Sequence, residues 1–231
     1  MKSLFYSYSQ DIENTYIITI KDNDISESLS ARCAKSCEAI GQPYYVWDAY
    51  DGTRNEIRVP SHHSPILDLV KVTDHYATKS EIACALSHIS LWARCILLDK
   101  PILILEHDAV MIKPYIKHQV FNSIGFLGCK EQVDKQFPVS LTPPHNMEGP
   151  NYHFICRAHA YSIDPTIAKN LLARVIKDGI FAPLDIMIRA DDFSFHQTDL
   201  FAYDDSIEGV TTIVNRPTYG RSTVRNDNLK L

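Results

Sequence analysis

Four consecutive apolar residues, 102–105 in "KPILILEHDAVMIKP", run without a break into Glu106, His107 and Asp108. A run with no polar alternation has no face to give to water. It reads as a strand covered on both sides, the kind found in parallel sheets sandwiched between helices. The preceding residues agree: Thr78 and Glu81 have capping-box spacing, and Ile82, Leu86, Ile89, Ala93 and Ile96 mark one helical face. Asp99-Lys100-Pro101 ends that helix, and Pro101 delivers the chain into the strand.

Upstream, "TYIITI" at 15–20 reads as a strand. The helix that follows places Leu29, Cys33, Cys37 and Ile40 on one face, with Asp24 and Glu27 spaced as a capping box and Gly41 as the stop. "YYVW" at 44–47 is a second strand and ends in "DAYDG", residues 48–52. Strand, helix, strand is a βαβ unit, so the expected class is α/β with a mostly parallel, Rossmann-like sheet in a single domain. Open α/β sheets bind ligands beyond the carboxyl ends of their strands, which makes Asp48, Asp51 and Gly52 ligand-loop candidates, with a plain turn as the alternative. Residues 53–77 show no period, carry Pro60, Pro65 and the pair His62-His63, and read as a loop excursion.

Composition bounds the function. The 231 residues are 45% hydrophobic and 22% charged, which excludes disorder and fibres as whole-chain readings. A net charge of −5 argues against nucleic acid as a general partner, a local basic patch apart. Six cysteines are scattered without a close CxxC pair, as expected of reduced core residues in a cytoplasmic protein, and Cys33 and Cys37 read as core packing. Asp11 and Glu13 interrupt any signal-peptide core, and no apolar run approaches the ~20 residues of a transmembrane segment.

Carboxylates buried without partners are costly, so Glu106 and Asp108 belong at the sheet edge, facing water, a cation or a ligand. If the strand continues through them, their i, i+2 spacing puts both on one side while His107 points away. A divalent ion bridging to a diphosphate accounts for such a pair, since Mg²⁺ and Mn²⁺ take hard oxygen ligands and keep positions for substrate phosphates; a solvated turn is the alternative.

The run "KSEIACALSHISLWARCILLDKPILILEHDAVM", residues 79–111, resembles the core of glycosyltransferase family 25, where a G-E-I-G-C-x-L-S-H helix precedes a strand ending E-D-D. The segment ending in "DAYDG" is similar to that family's N-terminal strand, helix and turn. "HAYSIDPTIAKNLLARV" and "PLDIMI" are similar to its A-Y-x-I-S-P helix and P-V-D motif. The family includes lipopolysaccharide-biosynthesis and collagen galactosyltransferase-like enzymes. The resemblance implies a GT-A fold, a UDP-sugar donor such as UDP-galactose or UDP-glucose, and inverting transfer of a hexose to a saccharide or other acceptor hydroxyl. It also implies Mn²⁺ or Mg²⁺ at the acidic motif, here Glu106, His107 and Asp108. Residues 1–115 would then bind the nucleotide-sugar and 116–231 would face the acceptor. The chain departs from the pattern at His107, which replaces the middle carboxylate and either adds a nitrogen ligand favouring Mn²⁺ or abolishes one. Lys79-Ser80 and Ala83 also replace glycines around the helix start.

The remaining candidates follow from this frame. Lys21, Asp22, Asp48, Asp51 and Gly52 would surround the uridine, so Asp51→Ala should raise the UDP dissociation constant more than it disturbs stability. Ser87 and His88 are donor contacts or, for His88, a hydrogen-bonded structural group beside Glu81, Cys84, Ala85 and Trp92. Asp185, matching the family's aspartate after proline, is the first choice for the catalytic base, and Asp192 the second; Asp191 and His196 stand beside it. Asp164-Pro165 starts a helix with Ile167, Leu171, Leu172 and Val175 buried and Gly179 at its end. The irregular stretch 120–157 suits an acceptor or lid loop, and Arg216, Arg221 and Arg225 either stabilise a leaving diphosphate or belong to a solvated tail. Two other classes compete: a metal-dependent phosphohydrolase, from the His107-Asp108 pair, and a non-catalytic nucleotide-sugar-binding protein.

Overall fold

The computed structural model describes residues 9–10, 12, 14–74, 77–115, 119–120, 123–128, 158–188, 195–197 and 201–204. Its strands are β1 (Ser9–Gln10), β2 (Asn14–Thr19), β3 (Tyr45–Asp48), β4 (Ile102–Glu106), β5 (Ala109–Met111), β6 (Gln119–Val120), β7 (Ile124–Phe126), β8 (Ala160–Ile163), β9 (Phe195–Gln197) and β10 (Ala202–Asp204). Its helices are α1 (Asp24–Ile40), α2 (Lys79–Leu98), α3 (Pro165–Asp178) and the single turn α4 (Leu184–Met187).

Six strands form one sheet in the order β3-β2-β4-β8-β7-β9. β2 pairs in parallel with both β3 and β4, and β7 with β9, while β8 is antiparallel to its neighbours β4 and β7. Five of the six therefore point the same way. This is the expected α/β, Rossmann-like arrangement, with one reversed strand that the sequence did not announce. Two short antiparallel pairs, β1 with β6 and β5 with β10, lie outside the sheet.

Alternate residues of each strand serve different layers. Tyr16 and Ile18 of β2, Ile102 and Ile104 of β4, and Tyr161 and Ile163 of β8 pack with α2 and α3. Ile17, Leu103, Leu105 and Ala160 pack with Cys33 and Cys37 of α1 and with β5. Residues 102–105 are fully buried, so each contributes roughly 1.5–3 kcal/mol of transfer free energy. A polar replacement there would offset much of a domain's net stability. The two cysteines of α1 are core groups, as their spacing suggested.

The capping signals translate closely. Thr78 and Glu81 form both halves of the capping box on α2. Asp164 caps α3, accepting the Thr166 N–H at 2.8 Å, with Pro165 in the first turn. α1 differs: its N-cap is Asn23, whose side chain accepts the Ser26 N–H, and Asp24 already lies in the helix. Gly41 ends α1 at φ 72°. The stretch before α2 is indeed mostly loop, with one 3-10 turn at Pro65–Leu69. α2 is long and apolar enough by length and composition to cross a bilayer, but most of its surface is buried inside the protein.

Candidate active site

Parallel pairing brings the ends of β2, β3 and β4 to one edge. Ile18 lies in register with both Trp47 and Glu106, and Thr19 with Asp48. At about 4.8 Å per strand, the backbones of Glu106 and Trp47 are about 10 Å apart.

The loop after β3 is closed on itself. Arg58 grips Asp48 with two N–H groups, at 3.0 and 2.6 Å, and donates to the Ala49 carbonyl at 3.0 Å. Asp51 is 1% exposed. It accepts hydrogen bonds from the Thr53 N–H at 2.9 Å, the Thr53 hydroxyl at 2.6 Å and Arg54 Nε at 2.7 Å. Burial would raise its pKa, but these donors outweigh burial and hold the carboxyl below the usual range. Gly52 lies so close to the start of α2 that a Cβ there would collide with the Lys79 carbonyl, while its own carbonyl accepts the Ser80 hydroxyl at 3.2 Å. Ser87 joins the same assembly: its hydroxyl accepts the Tyr50 N–H at 3.0 Å and donates to the Ala83 carbonyl at 2.8 Å. These hydrogen bonds tie Asp51, Gly52 and Ser87 to the protein's own loop and helix, rather than leaving them turned outward.

The loop after β2 is open. Lys21 and Asp22 are exposed, and Asp22 sits at φ 60°, its N–H donating to Glu27 at 3.0 Å.

At the end of β4 the strand stops at Glu106, and His107 and Asp108 form the turn into β5. The continuous-strand geometry assumed for an i, i+2 pair therefore does not apply, because a two-residue turn interrupts the strand. Glu106 faces α2, where Oε1 accepts a hydrogen bond from His88 Nε2 at 3.1 Å and lies 3.9 Å from the Cys84 thiol. Both contacts fall on Oε1, and the side chain keeps 28% of its surface exposed, so Oε2 is the oxygen with capacity for a ligand. Burial raises the Glu106 pKa, but the His88 hydrogen bond and the electrostatic pull of the His88, His107 and His159 rings outweigh it, and the group stays below its ordinary value. His159 comes from just before β8, and its carbonyl accepts the Glu106 N–H at 2.8 Å.

His107 turns the other way. Its Nδ1 shares a 3.0 Å hydrogen bond with the Ser26 hydroxyl in the first turn of α1, and that hydroxyl also accepts the Ile20 N–H at 2.8 Å. Burial lowers its pKa against the pull of Glu106, so the ring is neutral near pH 7. Beneath Glu106, burial first and then the charges of Glu106, Asp185, Asp108 and Glu81 push the Cys84 thiol far up. The charges of four carboxylates thus act on one thiol, that of Asp185 from the single turn α4.

Cys84 Sγ, His88 Nε2 and a Glu106 oxygen all lie within 4.8 Å of one another and could hold a metal ion. Their sulfur, nitrogen and oxygen atoms suit a borderline ion such as Zn²⁺ more than Mg²⁺ or Mn²⁺, and the His88–Glu106 contact is already a complete hydrogen bond. A hard ion would instead take oxygen donors, for which Glu106 Oε2 and Asp108, one of whose carboxylate oxygens is buried, are the candidates. His107 Nδ1 does not fit with them, because Ser26 holds it toward α1.

Asp191 and Asp192, the side chain of His196, the three C-terminal arginines and most of 120–157 lie outside the described residues. Cys84, Trp92, His159 and Tyr161 were not assigned to the site from sequence. Cys84 and Trp92 carry a signal, since both share the helical face of His88, whereas His159 and Tyr161 arrive through the reversed strand β8.

Residues 12–188 match glycosyltransferase family 25 (LPS biosynthesis protein), a span running from just before β2 to the end of α4. No curated protein matches the chain.

Proposed function

Because the chain belongs to glycosyltransferase family 25, we propose that it moves a hexose from a UDP-sugar to an acceptor hydroxyl with inversion, assisted by Mn²⁺ or Mg²⁺. The observation that carries this reading is electrostatic: the carboxylates of Glu106, Asp108 and Asp185, from one strand end and one separate helical turn, lie near enough for their charges to act on the Cys84 thiol. Two jobs need carboxylates in such a reaction, and these residues come from the two segments the jobs require. Oε2 of Glu106 and the carboxylate of Asp108 would hold the ion. When bound, the ion supplies positive charge against the leaving diphosphate.

Asp185 is the proposed general base. The acceptor oxygen attacks the anomeric carbon in line and the bond from that carbon to the diphosphate oxygen breaks. Asp185 takes the proton lost by the hydroxyl, a role typically contributing about 10²–10⁴-fold. Asp192 remains the second candidate. Lys21 and Asp22, exposed on the loop beside this edge, are the proposed contacts to the nucleotide. The acceptor is a saccharide hydroxyl of the kind presented by a lipopolysaccharide chain, in keeping with the family's description.

Incubation with a panel of nucleotide-sugars and Mn²⁺ tests the reading. Release of UDP that accelerates with added saccharide acceptor is expected. Release of a monophosphate would point to hydrolysis, and full activity in excess EDTA would remove the ion from the mechanism.

A further inference from the structure

His88 is 0% exposed, and both of its ring nitrogens already have partners inside the protein. It cannot reach a donor sugar directly, so any effect on transfer must pass through a neighbour. That neighbour is Glu106.

The hydrogen bonds around His88 form a chain whose direction is set at both ends. Trp92 Nε1–H can only donate, and it reaches the Tyr161 hydroxyl oxygen at 3.0 Å. Tyr161 has one proton of its own, and His88 Nδ1 lies 2.9 Å away, with the two rings stacked at 5.7 Å and 11°. At the far end an ionised Glu106 can only accept, so His88 Nε2, at 3.1 Å, carries a hydrogen. For a singly protonated His88 ring this leaves one arrangement: Trp92 donates to Tyr161, Tyr161 to His88 Nδ1, and His88 Nε2–H to Glu106 Oε1. A carboxylate pinned at one oxygen by a buried donor cannot rotate freely, which leaves Oε2 at a fixed place on the sheet edge.

We propose that His88 is the positioning residue of the site, held in its Nε2–H tautomer by Trp92 and Tyr161 so that it fixes the Glu106 carboxylate. The effect on binding rests on the proposed role of Glu106 in holding the ion and diphosphate, whereas the tautomer does not. Hydrogen-bond partners behind a ligand commonly change metal affinity or activity by about 10–100-fold when removed.

The test uses His88→Phe, which removes the donor, His88→Gln, which offers an amide N–H at similar reach, and Tyr161→Phe, which cuts the chain one step back. UDP affinity is measured in Mn²⁺ with melting temperatures alongside, and the His88 tautomer is read in the ligand-free wild type by nitrogen-15 NMR. The expected results are an Nε2–H tautomer, a UDP dissociation constant raised about 10–100-fold in His88→Phe, a smaller rise in Tyr161→Phe, and recovery of most of the loss in His88→Gln. Equal affinities for His88→Gln and His88→Phe, an Nδ1–H tautomer, or a ring protonated on both nitrogens, overturn the proposal. If His88→Phe does not fold, Tyr161→Phe with wild-type affinity overturns it. A wild type that binds no UDP in Mn²⁺ overturns the functional reading beneath it, and the tautomer then decides the hydrogen-bond chain alone.

Discussion

At the end of β3 each carboxylate meets a guanidinium, Asp48 with Arg58 and Asp51 with Arg54. At the end of β4 the carboxylate of Glu106 meets an imidazole and a thiol, with further carboxylates close enough to act on that thiol. Both are acidic strand ends on one sheet edge, and as sequence they invite the same reading. The difference teaches that the type of neutralising group separates a braced loop from a candidate site. A guanidinium is always charged: Arg58 forks onto both oxygens of Asp48, and Arg54 takes the oxygen of Asp51 that Thr53 leaves, so both oxygens of each carboxylate are held. An imidazole N–H holds one oxygen and leaves the other for a ligand.

The largest expected effects fall on the β4 side. Asp185→Asn keeps the shape and removes the basicity, and should lower kcat at least about a hundredfold with UDP affinity nearly unchanged. Near wild-type kcat would take Asp185 out of the mechanism, and the same assay on Asp192→Asn would show whether the role lies there. Asp108→Asn should also remove most turnover, and in addition weaken UDP binding in Mn²⁺, because it takes a formal charge from a proposed ligand of the ion. UDP affinity unchanged in this variant would break the contrast between the two strand ends.

Effects on the β3 side should be on stability. Gly52→Ala puts a methyl group into the Lys79 carbonyl, an overpacking cost of about 2–3 kcal/mol, visible as several degrees in Tm. Asp51→Ala leaves the Thr53 and Arg54 donors unmatched and should cost about 1–2 kcal/mol with little change in UDP affinity. This reverses the balance expected from the sequence. Weakened UDP binding without loss of Tm would restore Asp51 to the ligand side.

The smallest effect is in pH. Burial holds His107 and His62 below their ordinary 6.5, so the unfolded chain binds more protons than the folded one as pH falls through that value. Stability from these groups is fully present above pH 6.5 and is lost on acidification. His107→Asn should flatten the fall in Tm between pH 7 and pH 5.5, and an unchanged slope would show that His107 is not desolvated.

What could be read from the sequence was local. The apolar run at 102–105, the capping box at Thr78 and Glu81 and the Asp164-Pro165 start depend on neighbours within a few positions, and each forms as its spacing requires. The partners of Asp51 were also local, yet "DAYDG" does not say whether its carboxylates face a ligand or Thr53 and Arg54. Asn23 outcompeted Asp24 as the α1 cap because an asparagine amide oxygen serves the Ser26 N–H equally well. The reversed direction of β8 was hidden, since the residues of "HAYSI" suit a strand running either way. With it were hidden His159 and Tyr161, which meet Glu106 and His88 only across the sheet.

The place of β8 also has a kinetic consequence. β2, α1, β3, α2 and β4 follow one another along the chain, whereas Leu105 finds Ala160 only by closing a loop of about fifty residues. Local contacts form first and distant pairings later. Until β8 docks, the Trp92 indole has no Tyr161 oxygen to donate to, and Glu106 has neither the His159 carbonyl nor a His88 ring oriented from behind. Trp92 fluorescence should therefore change during refolding in the same phase in which UDP binding returns, after the far-ultraviolet signal of the helices. A chain stalled before that step holds most of its secondary structure and lacks the proposed site.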